Sequence, residues 1–211
     1  MKAQNTAHLS AGTYFAQDYF SFRYEGLYNR WKGWIRETPT YQVSVSYQRV
    51  FGEHLLLGVG LQSFFYRVNF ENSEFRDGSG FINDLKPEYS VRNYLVPFLS
   101  IGYTTDKTER FSFFALGSFR YALPTNAYDR VTYPDGSQEE LPPYQSTDDY
   151  KEGLMHGPGL RLGAAFSPRR TLEKQWLSYQ LALDSQLLFY SESDFNPKFL
   201  FGPELSVAYN F

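Results

Sequence analysis

Apolar and polar residues alternate along this chain with a period of two, in segment after segment. Tyr41, Val43, Val45 and Tyr47 take turns with Gln42, Ser44, Ser46 and Gln48, the pattern of a strand with one apolar face. Beyond the turn Phe51-Gly52-Glu53-His54, Leu55, Leu57, Val59 and Leu61 interleave with Leu56, Gly58, Gly60 and Gln62. Leu95, Pro97, Leu99, Ile101 and Tyr103 are set against Val96, Phe98, Ser100 and Gly102. Phe111, Phe113, Ala115, Gly117, Phe119 and Tyr121 are set against Ser112, Phe114, Leu116, Ser118 and Arg120. The alternation returns on the even positions of 160–166 and on the odd positions of 177–183 and 201–211. A first strand is read around Leu9, Ala11, Thr13 and Phe15. Eight strands are predicted, and helical periodicity is hard to find.

The connections carry a second signal. Short joints are predicted around Gly52, Lys107 and Pro168, and long ones at roughly 20–39, 70–92, 123–154 and 190–198. Strict alternation of short and long joints, with an even strand number, predicts an all-β, antiparallel, up-and-down barrel with both termini on the short-turn side. In the third long connection, Val131-Thr132-Tyr133-Pro134-Asp135-Gly136-Ser137 is a turn flanked by strand-like residues. It is expected to form a ribbon that prolongs the barrel wall, not a ninth and tenth barrel strand. Residues 6–211 form the single domain. Residues 1–5 are expected to be a tail, either the stub of a cleaved signal peptide or an added start.

The two faces differ in size as well as polarity. One is rich in Gly, Ala, Ser and Gln, which suit a crowded concave side; the other carries Leu, Val and Phe in mid-strand with Tyr near the ends. Aromatic residues make up 19% of the chain, too many for a surface in water on a chain whose mean hydropathy is −0.46. Large apolar groups outside and rings at the rims are what a bilayer requires, and closure satisfies the backbone where water is absent. The expectation is therefore a transmembrane barrel with short periplasmic turns and long extracellular loops. Arg120, Arg161, Asp184 and Glu204 fall on the small-residue face, six to ten residues from the nearest short turn or the C-terminus. At about 3.3 Å per residue and a tilt near 40°, this is mid-barrel height, where arginine facing lipid would cost about 2–4 kcal/mol. They are expected to pair inside with Gln62, Gln180 and Gln186. An eight-stranded interior is just wide enough for side chains, so this network is read as a plug and not an ion path.

The last residues, Pro203-Glu204-Leu205-Ser206-Val207-Ala208-Tyr209-Asn210-Phe211, resemble the C-terminal β-signal of bacterial outer-membrane barrels, with Leu205, Val207, Tyr209 and Phe211 at the alternate positions. The whole chain is similar to the small eight-stranded class that includes the OmpA transmembrane domain, OmpX and the PorT-like barrels of Bacteroidota. The resemblance implies the outer membrane of a Gram-negative bacterium and recognition by the barrel-assembly machinery. With no periplasmic domain after Phe211, a full OmpA-type peptidoglycan anchor is not expected.

Candidate chemistry changes the picture little. With no cysteine and a net charge of −3, thiolate, zinc-finger and nucleic-acid functions are not expected, nor is a cofactor. Enzymes of lipid A modification share this architecture. His8-Leu9-Ser10 has the His-x-Ser spacing of a deacylase but belongs near the periplasmic end, and His54 belongs to a turn. His156 begins a strand near Asp148, Asp149 and Glu152, with no identifiable nucleophile. In the first long connection Arg30, Trp31, Lys32, Trp34 and Arg36 combine rings with cations. That set suits an interfacial anchor or lipopolysaccharide phosphates. The third is acidic, with Asp129, Asp135, Glu139, Glu140, Asp148, Asp149 and Glu152. The leading expectation is a non-catalytic envelope barrel, structural or docking, that meets lipid, lipopolysaccharide and a protein partner through its outer loops (Tyr133, Tyr144, Tyr150) or wall. The alternatives are a lipid A-modifying enzyme and a soluble lipocalin-like carrier.

Overall fold

A strand whose faces meet lipid on one side and side chains on the other must place every backbone donor and acceptor in its neighbours, and only closure leaves none over. The computed structural model describes residues 5–16, 21–25, 29–37, 40–77, 86–105, 111–132, 136–141, 154–168, 177–190 and 198–211. The side chains at 16, 21–37, 66, 68–77, 86–88, 90, 129, 131, 141 and 190 are outside the described set. The strands are β1 (Asn5–Ala16), β2 (Ser21–Glu25), β3 (Asn29–Glu37), β4 (Thr40–Phe51), β5 (Leu55–Asp77), β6 (Lys86–Thr104), β7 (Phe111–Thr132), β8 (Gln138–Leu141), β9 (Met155–Phe166), β10 (Leu177–Tyr190) and β11 (Lys198–Asn210).

Eight of them close antiparallel in the order β1-β4-β5-β6-β7-β9-β10-β11 and back to β1. At the seam Gly12 faces Gln42 on one side and Glu204 on the other. The ends of the chain are zipped by reciprocal bonds between Asn5 and Phe211, with N···O distances of 3.0 and 3.3 Å. β1 starts at Asn5, one residue earlier than the expected tail boundary.

The predicted alternation is the observed one. On β11, Leu205 is 66% exposed and its neighbour Glu204 4%; on β10, Leu183 is 65% exposed and Asp184 1%. Leu9, Val45, Val59, Leu99, Phe113, Leu162 and Leu181 stand outward with them around the wall. Rings gather at both ends of this belt. At the short-turn end Phe111 meets Phe166 at 5.1 Å between centroids and Tyr209 meets Phe211 at 6.0 Å. At the other end Phe15, Phe201 and Phe199 stack in series at 6.1 and 5.7 Å. A soluble lipocalin-like barrel would have the reverse arrangement, apolar within and polar without.

The strands run past the belt further than the alternation indicates. β5, β6 and β7 continue through much of the segments expected as connections at 70–92 and 123–154. β8 pairs with the end of β7, the ribbon anticipated around Val131–Ser137. In the first connection β2 and β3 form a ribbon that joins the barrel sheet through β5, an unforeseen extension. The joint expected at Lys107 and the Arg169-Arg170 end of the Pro168 joint lie outside the described residues.

Candidate functional site

Two apolar clusters and a polar network occupy the inward positions. Towards the long-connection end lies an apolar cluster of Tyr14, Phe64, Tyr94, Val96, Ala122, Met155, Leu188 and Leu200. Towards the short-turn end lies a second, of Val50, Leu56, Phe114, Leu116 and Ala182. Interleaved with them is a polar network built from opposite walls of the barrel.

Its centre is two ion pairs. Arg120 on β7 grips Asp184 on β10 with both arms, Nη2 to Oδ1 at 2.6 Å and Nη1 to Oδ2 at 2.8 Å. Arg161 Nη2 on β9 lies 2.6 Å from Glu204 Oε1 on β11. The first is a fork-on-fork pair, the geometry in which a guanidinium is held most firmly. Each arginine has further donors to place. Arg120 Nε donates to Ser118 Oγ at 3.0 Å, and its Nη1 also reaches Tyr14 Oη at 3.2 Å and Gln62 Oε1 at 3.3 Å. Arg161 Nη2 donates to Ser206 Oγ at 3.1 Å and Gln180 Oε1 at 3.4 Å. The guanidinium faces are used as well, over Phe98 and Phe114 at 5.7 and 5.2 Å.

Two glutamines join the pairs into one network. Gln62 Nε2 donates to Tyr14 Oη at 2.7 Å and to Gln42 Oε1, and Gln42 Nε2 donates to Glu204 Oε2 at 3.3 Å. Tyr14 in turn donates to Asp184. Of the seven candidates, Gln62, Arg120, Arg161, Gln180, Asp184 and Glu204 are connected in this way. Gln186 is buried and inward, but neither its Nε2 nor its Oε1 meets a hydrogen-bond partner among the described residues. Gln42 and Tyr14 belong to the network without having been candidates. Gln42 carries the same signal as Gln62, a long amide on an inward position, whereas Tyr14 looks like an outward ring until the parity of β1 is set by Leu9 and Phe15.

This network is tight. Its cavity is about 20 Å³, enough for a water molecule or so. The arrangement can hold charge firmly inside the barrel, each guanidinium facing a carboxylate.

No family model matches the sequence, and no curated protein does. Solved structures do. The outer membrane protein OprG from Pseudomonas aeruginosa matches with a TM-score of 0.50 at 12% identity, over 99% of this chain and 95% of that one. The fold is that of the small outer-membrane β-barrels. Two further structures were found at lower scores. Ail, the attachment invasion locus protein of Yersinia pestis, solved with the heparin analogue sucrose octasulfate, has a TM-score of 0.42, 11% identity and coverage of 98% and 99%. The N-terminal β-barrel domain of Pseudomonas aeruginosa OprF has 0.39, 12%, 98% and 97%.

The remaining candidates lie on or outside this barrel. Leu205, Val207, Tyr209 and Phe211 point outward along β11 and past its end. Arg30, Trp31, Lys32, Trp34 and Arg36 fall on β3, whose backbone pairing with β5 is described and whose side chains are outside the described residues. His8 and Ser10 are both buried in the interior at the short-turn end. His54 sits in the turn after β4, its Nδ1 2.9 Å from Thr104 O and its ring stacked on Tyr103 at 4.9 Å. His156 faces outward between Phe119 and Tyr121. Asp148, Asp149 and Glu152, its sequence neighbours, lie outside the described residues, as do Tyr133, Tyr144 and Tyr150. Among the described residues no group of three His, Asp or Glu is placed to hold a metal ion.

One cluster on the outer extension was not anticipated. Arg67 of β5 lies over the Tyr89 ring at 3.9 Å, and Arg130 of β7 donates to Tyr89 Oη at 2.8 Å from the other neighbouring strand. Cross-strand packing of this kind stiffens the prolonged wall.

Proposed function

We propose that this chain is a non-catalytic barrel of the Gram-negative outer membrane, serving as a structural or docking component of a surface or secretion complex. The observation that carries this reading is the pairing of a continuous outward apolar belt with a sealed, ion-paired interior. The belt calls for lipid, and the cavity within the polar network, at about 20 Å³, is far smaller than a carrier needs. The work of the molecule is then left to its wall and to the β2–β3 and β7–β8 ribbons that rise beyond it. Membrane lipid and lipopolysaccharide surround the wall, with Arg30, Trp31, Lys32, Trp34 and Arg36 at the outer interface. During insertion the barrel-assembly machinery reads Leu205, Val207, Tyr209 and Phe211.

Fractionation of cells expressing the chain tests the location. The protein is expected in the outer-membrane fraction, soluble only with detergent and migrating faster unheated than boiled on gels. Recovery from the aqueous fraction would overturn the reading. Phe211→Ala is expected to lower the amount of assembled barrel several-fold while leaving synthesis unchanged. Crosslinking of intact membranes followed by purification should capture a protein through the outer ribbons. Lipid A should have the same mass with and without the chain, and a mass change that depends on it would replace docking by catalysis.

A further inference from the structure

The lipid-facing wall is not uniform. Around most of the barrel its outward positions carry Leu, Val or Phe, but on β7 the outward position 117 is glycine. A Cβ placed there would meet only Ile101 O, at 3.7 Å, so the position opens onto empty space. The notch is part of a groove of about 780 Å³ across β4, β5, β6, β7 and β9, whose rim includes Arg49, Val59, Ile101, Gly117, Phe119 and Pro158. This volume falls within the range of ligand-binding clefts.

The groove climbs. Arg49 lies two residues from the short-turn end of β4, Gly117 six from the start of β7, and Pro158 eight from the end of β9. At about 2.5 Å of axial rise per residue, from 3.3 Å along a strand tilted near 40°, the groove ascends about 15 Å from Arg49 to Pro158. That is about the depth of one leaflet of a 30 Å hydrocarbon core. The lower end alone carries charge. Arg49 is exposed, its guanidinium lies 5.1 Å from the Phe51 ring centroid, and among the described residues it has no carboxylate partner. The nearby Glu53 is turned to His54, at 3.8 Å.

We infer that this groove is a binding site for one anionic phospholipid of the periplasmic leaflet, its phosphate at Arg49 and an acyl chain lying over Gly117 towards Pro158. An apolar trough one leaflet deep fits a single acyl chain, and the cation sits at headgroup depth. A cation there distinguishes a phospholipid from the apolar side chain of a second copy or of another membrane protein, for which a charge at this depth would be a cost. The inference rests on the membrane location proposed above.

The test is native mass spectrometry of the full chain, folded in detergent micelles and titrated with dipalmitoyl phosphatidylglycerol or dipalmitoyl phosphatidylcholine. One phosphatidylglycerol is expected to stay bound, with about fivefold higher occupancy than phosphatidylcholine, the weight of one basic residue at an anionic surface. Gly117→Phe fills the notch and should abolish the adduct. Val59→Trp fills the groove from β5 and should do the same if the first variant folds poorly. Arg49→Gln should leave a weaker adduct and equalise the two lipids. Unchanged occupancy in a correctly folded Gly117→Phe barrel overturns the site, as does equal retention of both lipids by the unmodified chain or a dimer that Gly117→Phe abolishes. Insertion of each variant into preformed vesicles is followed in parallel. A chain that inserts but does not discriminate loses only the groove, whereas a chain that fails to insert loses the membrane reading and the groove with it.

Discussion

Asp184 is a carboxylate with no access to water, held by three donors from two strands, and its charge is tolerable only because Arg120 neutralises it. Removing one partner of such a pair leaves the other buried and uncompensated. Asp184→Leu is therefore expected to lower stability by about 3–5 kcal/mol, whereas Arg120→Met with Asp184→Leu together should cost less than the single change. Urea titration of vesicle-embedded protein, read by tryptophan fluorescence, checks both. A double variant as unstable as the two singles summed would mean that the pair is not coupled as its geometry requires. At this scale the sequence tells which residues are inside, because parity along β7 as far as Pro124, and along β9, β10 and β11, is unbroken. It does not tell who meets whom. Arg120 and Asp184 come from strands separated by β9, and their meeting depends on tilt and stagger, which no local pattern encodes. Hence parity does not single out Gln42 and Tyr14 as members of the network, and Gln186, inward like the others, stands outside it among the described residues.

The strands show the same division between what alternation reveals and what it hides. Inside the bilayer each predicted strand is present and correctly faced. Above it, β2 and β3, and the prolongations of β5, β6 and β7, fall in segments that the spacing of the turns assigns to connections. The inward glycines are the elements' answer to bulky neighbours. A Cβ at Gly60 of β5 would come within 2.3 Å of Phe98 Cζ, and one at Gly159 of β9 within 2.6 Å of Arg120 Nε. Gly60→Val should displace the Phe98 ring and cost about 1–3 kcal/mol by overpacking. Gly117→Ala, on the outward face of β7 where space is free, should be neutral or mildly stabilising, since glycine in a strand loses more chain entropy. The contrast between the two variants in the same urea titration tests the interior packing directly. Equal effects would mean that the interior is looser than these distances imply.

For the molecule as a whole, the deciding question is which solvent the belt meets, and one outward residue can answer it. Leu181 on β10 is 60% exposed and four residues above the start of its strand, with Leu205 and Ala164 as its cross-strand neighbours. At about 10 Å above the short-turn end it lies near the middle of an apolar band about 25 Å tall. If that surface is in hydrocarbon, Leu181→Arg must carry a guanidinium to near mid-membrane depth and should cost about 2–4 kcal/mol. The same substitution at Tyr209, in the ring of aromatics at the short-turn end, should cost about 0–1 kcal/mol, because its charge can reach the interface. In water the difference would vanish, since a change at an exposed site on a soluble wall is worth about 0.5 kcal/mol or less in either direction. Depth dependence is the quantity to measure, because a general loss from disturbing the sheet would fall equally on both positions. Unfolding titrations of the two variants in thin vesicles therefore report the identity of the solvent without reference to any relative. A gap of about 1 kcal/mol or more between them is expected on the lipid reading, the lower end of the difference between the two depths.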